Sequence, residues 1–493
     1  MAKAIMIQGT MSDAGKSLLC TGLCRVFYQD GYKVAPFKSQ NMAPNSFITE
    51  EGLEMGGAQA VQAEAAGIAP SVLMNPILLK PSSDMGSQLI VNGVDQGHFK
   101  AREYYKMKDS LVQEIKNSYD QLAENYDIIV LEGAGSPAEL NLKEGDFVNM
   151  GMAKMAKAPV LLVGDIDRGG VFAQLYGTIA LLEEDEQEMV KATVVNKFRG
   201  DPTLFQDGIK MIEQLTKKPV AGVMPYIKVD IEEEDSLAKY TSQKKESALL
   251  DLAVIRFPRI SNFTDVAPFE AMKEVSVRFV AKASDIGTPD LVIIPGTKNP
   301  MDDLKWLRKS GLEEAIKELA DKDIPILGIG AGFQMLGLEI EDDEGKERLK
   351  GLELLPVKTK LTDHKKPQQL KGEFLNVAGV LHALSHNTIE GFEYQTGVIK
   401  RKGGVEPLIQ LQDGKMDGCQ KKNVYGTNIH GLFTNAACRE AILTALSERK
   451  GVTLKDISFD WQAYKESQYD LLADAIRENL DMELIYEILE EGI

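Results

Sequence analysis

The sequence predicts two α/β domains in tandem, each built on a parallel sheet. Short apolar runs rich in β-branched residues alternate with segments long enough to be crossover helices. A glycine-rich turn, Gly9-Thr10-Met11-Ser12-Asp13-Ala14-Gly15-Lys16-Ser17, joins the first such run to the first helical segment. A polar stretch, Glu232-Glu233-Glu234-Asp235 through Lys245-Glu246, interrupts the alternation, which then restarts. Length agrees with this division, since 493 residues exceed one ordinary core.

In the first half, strands are expected at 4–8, 33–37, 127–131, 159–163, 192–196 and 219–223. Several of these runs are apolar throughout, as strands covered by helices on both faces must be. After the polar stretch, strands are expected at 252–256, 275–280, 291–295 and 324–329. From about residue 436 the pattern is helical and acidic. The expected division is therefore a first domain at 1–235, a linker at 236–250, a second domain at 251–440 and a helical extension at 441–493.

Composition narrows the partners. A chain with 44% hydrophobic and 26% charged residues has the balance of a globular protein. A net charge of −18 argues against nucleic acid and against anionic lipid, both of which need clustered positive charge. No window approaches the roughly eighteen uninterrupted apolar residues of a membrane span. The first residues run straight into a strand pattern with no signal peptide, so a cytoplasmic protein without a membrane partner is expected. Cys20, Cys24, Cys419 and Cys438 show no metal-ligand spacing and read as small core residues. His382 and His386 stand four apart with no third ligand in view, which reads as surface or loop chemistry.

The turn at 9–17 has the order that phosphate binding requires. Glycines such as Gly9 and Gly15 let backbone N–H groups face phosphate oxygens, and the following helix adds its dipole. Lys16 is the candidate for the outer phosphates and the Ser17 hydroxyl for Mg²⁺. Five residues rather than the usual four separate Gly9 from Gly15-Lys16-Ser17. Glu132, at the end of the strand expected at 127–131, is the candidate second metal ligand, because α/β sheets collect ligands at strand carboxyl ends. Asp165 and Asp167 follow the next strand and read either as further acids of the site or as solvated loop acids. Lys38 ends the second strand and reads as a phosphoryl-neutralising cation or a surface lysine. Asn196, with Lys197, would suit an adenine edge.

Taken together, these segments resemble the cobyric acid synthase family. The resemblance runs through Gly9-Thr10 and Gly15-Lys16-Ser17, Val34 to Met42, Gln59-Ala60-Val61-Gln62-Ala63-Glu64-Ala65-Ala66 and Met74-Asn75-Pro76 to Pro81. It continues through Glu132-Gly133-Ala134-Gly135-Ser136-Pro137-Ala138-Glu139, Asn149-Met150-Gly151-Met152-Ala153, residues 164–172 and Asn196-Lys197-Phe198-Arg199-Gly200-Asp201. The resemblance implies two Rossmann-like three-layer domains. The first is a P-loop domain similar in fold to dethiobiotin synthetase, and the second is of the class I glutamine amidotransferase type. It further implies ATP- and Mg²⁺-dependent amidation of four peripheral carboxylates (b, d, e, g) of adenosylcobyrinic acid a,c-diamide in cobalamin biosynthesis, through acyl phosphates. Gly9, Thr10, Gly15, Lys16, Ser17 and Asn196 would then bind the nucleotide. Lys38 would act on the transferring phosphoryl group, and Asp146 is carried over as a substrate-side or metal-side acid.

The second domain matches the family at Pro295-Gly296-Thr297-Lys298-Asn299, Pro325 to Ile329, Gln334-Met335-Leu336-Gly337 and Tyr425-Gly426-Thr427-Asn428-Ile429-His430-Gly431-Leu432-Phe433. His430 matches the base of the glutaminase. The nucleophile does not match. The family pattern Gly-Ile-Cys-Gly-Gly-x-Gln is here Gly328-Ile329-Gly330-Ala331-Gly332-Phe333-Gln334, and Gly330 cannot form a thioester. The stretch Glu393-Tyr394-Gln395-Thr396-Gly397 departs as well. The expected nitrogen donor is therefore ammonia, free or made by another protein, rather than glutamine. Two other readings are weighed: the same ligase chemistry on another polycarboxylate, and a non-enzymatic ATP- or corrinoid-binding regulator. ATP turnover that depends on an added corrinoid separates the regulator from the enzymes.

Overall fold

A computed structural model describes residues 2–43, 46–83, 86–231, 243–362, 367–394, 397–403 and 405–493. The chain forms two compact units: residues 1–49, 53–235 and 462–493 make the first, and residues 50–52 and 236–461 the second. Of the expected linker at 236–250, residues 236–242 lie outside the described residues.

The first unit is built on a parallel six-stranded sheet. Its elements are β1 (Lys3–Gly9), the helix α1 (Lys16–Gln29), β2 (Val34–Phe37), the helix α2 (Gly57–Ala65), β3 (Ile128–Glu132), β4 (Val160–Asp165), β5 (Val190–Phe198) and β6 (Val220–Pro225). The strand order is β6-β5-β4-β1-β3-β2. Alternate residues of β1 feed two cores. Ala4 and Met6 join Ile129, Leu131 and Leu162 on one face, while Ile5 and Ile7 join Leu19, Leu23 and Phe27 of α1 on the other. Burial on both faces is why these strands read as continuous apolar runs. A second sheet (Gln40–Met42, Ile77–Ser83, Gly86–Val91 and Val94–Lys100) has no counterpart among the expected strands.

The expected extension at 441–493 divides. The helix Ala436–Lys450 belongs to the second unit, whereas the helices α3 (Trp461–Asn479) and α4 (Met482–Glu491) lie almost wholly in the first. The cause is apolar complementarity with α1. Ala473, Ile476, Leu480, Ile485, Ile488 and Leu489 complete the core formed by Leu19, Leu23, Val26 and Phe27. Gly22 makes room for them, since a Cβ there would lie 2.2 Å from Ile476 Cδ1. Arg25 Nε donates to Asp470 at 2.8 Å, and Lys465 Nζ and the Tyr469 hydroxyl donate to Glu64 of α2 at 2.7 and 3.0 Å. The helix that starts at the phosphate loop is thus packed under the end of the chain.

The second unit carries β7 (Leu250–Ile255), β8 (Val275–Val280), β9 (Leu291–Ile294), β10 (Ile326–Ile329), β11 (Cys419–Lys421) and β12 (Val424–Thr427). Their order is β8-β7-β9-β10-β12-β11, parallel except for the β11 edge. A five-stranded antiparallel sheet ends on Ile429–His430, paired with Thr388–Glu393. All four cysteines are buried and free. His386 is exposed beside Glu373. Among the described residues no helix is long and apolar enough to cross a membrane.

Candidate functional site

The loop between β1 and α1 is shaped as the motif requires. Gly15 is left-handed, with φ 96°, and no side chain caps the first turn of α1. The amides there are left for an anion, which is what a phosphate site needs. A side chain at Gly15 would collide with Asn196, whose Nδ2 would stand 2.1 Å from the added Cβ. Lys16 curls back over the loop, and its Nζ donates to the carbonyls of Met11 at 3.0 Å and Gly135 at 3.1 Å. Burial lowers the pKa of this ammonium, Glu132 opposes that shift and Lys38 adds to it.

Glu132 is the hub of the first unit's site. At the carboxyl end of β3 and 2% exposed, it accepts from Ser17 Oγ at 2.8 Å and Lys38 Nζ at 2.7 Å on one oxygen. On the other it accepts from Gln62 Nε2 at 2.6 Å and Gln59 Nε2 at 3.4 Å. Burial alone would push its carboxyl up. The Lys38 charge and the hydrogen bonds from Lys38, Gln62 and Ser17 reverse this and hold it below the usual carboxylate range. Lys38 is itself fixed from behind, because Asn75 Nδ2 donates to its carbonyl at 2.9 Å. Asn149 pairs with both backbone groups of Ala134, at 3.1 and 2.7 Å, and so holds the loop that presents Gly135 to Lys16.

The other expected residues sit as follows. Thr10 Oγ1 donates to Gln174 at 3.0 Å. Asp165 accepts from the amides of Asp167 and Arg168 on one oxygen, and Lys197 Nζ lies 3.1 Å from the other. Asp167 is tied to Arg199 at 2.6 Å. Asn196 Nδ2 donates to the Ala14 carbonyl at 2.8 Å, so its side chain braces the phosphate loop. Asp146 lines the cavity that also borders Gly135. Its carboxylate accepts from the backbone N–H groups of Val148, Asn149 and Gly151 at 2.8, 3.1 and 2.8 Å and so closes the entry to the helix Met150–Ala156. That geometry suits a helix-entry cap better than a metal ligand.

Beyond Gly135 opens a cavity of 1120 Å³, lined by apolar residues such as Met42, Leu79, Phe99 and Phe147 together with Lys143, Lys154, Glu183 and Glu186.

In the second unit, β10 turns sharply into the helix Ala331–Leu336 at Gly330, whose φ and ψ are 56° and −117°. A Cβ on Gly330 would lie 3.0 Å from His430 Nε2. His430 is 2% exposed, stacks on Phe392 with centroids 5.2 Å apart, and lies 2.7 Å by Nδ1 from Asp265 Oδ2. A carboxylate only accepts, so Nδ1 carries the proton and Nε2 faces Gly330, with Asn262 Nδ2 at 3.2 Å. The second carboxylate oxygen of Asp265 accepts from the Gly431 amide at 3.1 Å, which fixes both ring and carboxylate. Gln395 and Thr396 lie outside the described residues.

Family models agree with the two-unit description. The CobQ/CobB/MinD/ParA nucleotide binding domain matches residues 5–238, and the CobB/CobQ-like glutamine amidotransferase domain matches residues 251–438. A cobyric acid synthase of Ruminiclostridium cellulolyticum is 53% identical, over 100% of this chain and 98% of that one. A cobyric acid synthase of Lachnoclostridium phytofermentans is also 53% identical, with 100% of both chains covered. One from Citrobacter koseri is 46% identical over 100% and 99%. The chain belongs to the cobyric acid synthase family. Membership makes it an enzyme, an ATP-dependent amide-forming ligase of cobalamin biosynthesis.

Within that family frame, several side chains gathered at the two sites were not singled out from the sequence. Gln59 and Gln62 stand three apart on α2, a spacing that puts both on one helix face, and their motif lies within the resembling stretch. Asn149 likewise falls in a resembling stretch. Asp265 has no signal of its own, because it meets His430 only through the fold.

Proposed function

We propose that the first unit amidates peripheral carboxylates of a corrinoid, cobyrinic acid a,c-diamide, and that the second unit has lost glutamine hydrolysis. The observation that carries the ligase reading is the Glu132 hub, which gathers Ser17, Lys38 and α2 at the end of β3, directly behind the phosphate loop. Oxygen donors of this kind, one hydroxyl and one carboxylate beside phosphates and water, fit Mg²⁺. Ser17 would hold the ion directly and Glu132 directly or through one water, and bound there it neutralises phosphate charge. The rest falls to the chain. The loop amides and Lys16 orient the nucleotide's outer phosphates, and Lys38 offsets charge on the γ-phosphoryl group as a substrate carboxylate attacks it. That attack breaks the bond to the β-phosphate oxygen and gives ADP and an acyl phosphate, from which ammonia displaces phosphate and loses a proton to give the amide. The cavity is large enough for a macrocycle and is bordered by Gly135, whose carbonyl accepts from Lys16 of the phosphate loop, which supports placing the corrinoid there.

The loss of glutamine use rests on Gly330. Asp265 and His430 stand as orienting acid and base, aimed at a residue with no atom to deprotonate. The test is incubation with cobyrinic acid a,c-diamide and MgATP plus either ammonium or glutamine, with mass spectrometry counting amides gained. Four amides with ammonium and none with glutamine is the expected result. Equal yield from glutamine, in protein free of other glutaminases, overturns the second half of the proposal. No amide from either donor overturns the first.

A further inference from the structure

This inference rests on reading the 1120 Å³ cavity as the corrinoid site. A ligand amidated at several positions changes its chemistry as it is processed. Each turn replaces a carboxylate, which only accepts hydrogen bonds, by a carboxamide, which also donates two. A wall of lysines alone would bind the polyacid and lose affinity with every amide made. The cavity wall instead carries a linked network of both signs. Lys143 Nζ lies 2.9 Å from Glu183 Oε1 and 2.8 Å from Glu186 Oε2. Lys154 Nζ lies 3.3 Å from Glu186 Oε1 and 2.7 Å from Asp185 Oδ2. Both lysines, Glu183 and Glu186 line the cavity.

We propose that the Lys143–Lys154–Glu183–Glu186 network is the specificity element for a corrinoid whose edge passes from carboxylate to carboxamide. The lysines receive carboxylates of the incoming substrate, and the glutamates accept N–H groups of the amides already formed. The geometry suits exchange. Glu186 is nearly enclosed, and its carboxylate also accepts from the Glu183 amide at 3.1 Å to close the first turn of the helix Glu184–Met189. The lysine side chains keep 26% and 41% of their exposure, so they can turn toward a ligand without unfolding anything. Mutual pairing keeps both signs charged when the cavity holds no substrate. Hydrogen bonds that Lys143 donates to Glu186 and Glu183 raise its pKa. Burial pushes Glu186 up, but Lys143, the Glu183 amide and Lys154 bring its carboxyl below the usual range. Helix capping alone would account for Glu186, but it does not account for two lysines converging on it from separate elements inside a cavity.

The experiment titrates two corrinoids without nucleotide, one with free peripheral carboxylates and its fully amidated counterpart, following the corrin absorbance. The unmodified protein should bind both, with affinities within about tenfold of one another. Lys143→Met with Lys154→Met should weaken the acid form about tenfold and the amide form less than about threefold, since a charge-assisted contact is lost only in the former. Glu183→Gln with Glu186→Gln should move the ratio the other way, and with ammonium and MgATP it should accumulate partly amidated products. Lys154→Met alone, on a half-exposed side chain, serves if the double variant folds poorly. Variants that shift both ligands alike, or neither, overturn this inference while leaving the cavity reading in place. If the unmodified protein binds neither corrinoid, the cavity reading itself falls, and the inference falls with it.

Discussion

Restoring a thiol at residue 330 tests how much of a glutaminase the second unit still holds. Gly330 has φ 56° and ψ −117°, a region closed to other residues without strain of about 1–3 kcal/mol. For a unit of this size that strain lowers Tm by roughly 2–12 °C. The new Cβ would stand 3.0 Å from His430 Nε2 and 3.4 Å from Cε1, inside ordinary van der Waals contact, so the imidazole must withdraw by a few tenths of an ångström. Phe392 stacked on the ring and Asp265 at 2.7 Å both resist that movement. An intact nucleophile is worth on the order of 10⁶ in rate, so a strained base should recover only part of it, about 10²–10⁴ above the unmodified protein. The assay is glutamate release from glutamine, coupled to a dehydrogenase. His430→Ala in the Gly330→Cys background serves as the control that should return release to background. Glutamate release by the unmodified protein in step with amide formation refutes the reasoning. So does a folded Gly330→Cys variant whose new thiol reacts with disulfide reagents yet releases no more glutamate than that control.

Other perturbations follow from the first unit. Glu132→Gln removes the carboxylate paired with the buried Lys38 ammonium and should destabilise by about 3–5 kcal/mol while cutting MgATP turnover, read by chemical denaturation and ADP release. Because the Glu132 carboxyl lies below its unfolded value, its contribution is present above about pH 4.5 and lost as pH falls through the lower folded value. The variant's stability should therefore change less between about pH 5 and 3 than that of the unmodified protein. Asp146→Asn weakens a carboxylate that three amides share, and should lower stability by about 1–2 kcal/mol with kcat for amidation within about threefold; a large fall in kcat at unchanged Tm would instead restore Asp146 to the chemistry. Gly22→Val drives a side chain into Ile476 and Leu472 and should destabilise by about 1–3 kcal/mol, seen as an earlier melt of the unit that binds nucleotide.

What could be read from the sequence was what is local. The phosphate loop is one contiguous turn, and its flanking strands are apolar on both faces, so β1 to β6 were legible to within a few residues. The position of Glu132 at a strand end was legible because it closes an apolar run. The Val94–Lys100 strand was not, because it is largely exposed and shows no apolar run. Asp146 illustrates a limit of another kind, since the sequence offered it as a substrate-side or metal-side acid and gave no sign of the three backbone amides that donate to it. Asn196 lies near the end of its strand as expected, and its bond to the Ala14 carbonyl had no sign in the sequence. Asp265 is illegible in principle, because only the folding of distant segments sets it against His430. The C-terminal helices were expected, while their partner was not, because an apolar stripe states that something must be covered and not what will cover it.

The second unit then poses a physical question, namely what holds its elbow in shape with glycine at residue 330. Nothing that holds the elbow uses a side chain at residue 330. The Gly330 amide donates to the Thr427 carbonyl at 2.9 Å, and the Gln334 amide donates to the Gly330 carbonyl at 3.2 Å. Gly332 lets the helix sit on the strand end, where a Cβ would lie 1.9 Å from the Ile294 carbonyl oxygen. The backbone bend is therefore made by the sheet, and a catalytic residue at its apex only adds strain. Glycine there removes that strain and leaves Asp265, His430 and Asn262 bonded to one another. Losing the thiol should accordingly stabilise the unit rather than erode it, by the same roughly 1–3 kcal/mol that Gly330→Cys is expected to cost. On the proposed reading such a domain can persist for its surfaces and its packing, with the amidation assigned to the loop, Lys38 and Glu132 of the other unit.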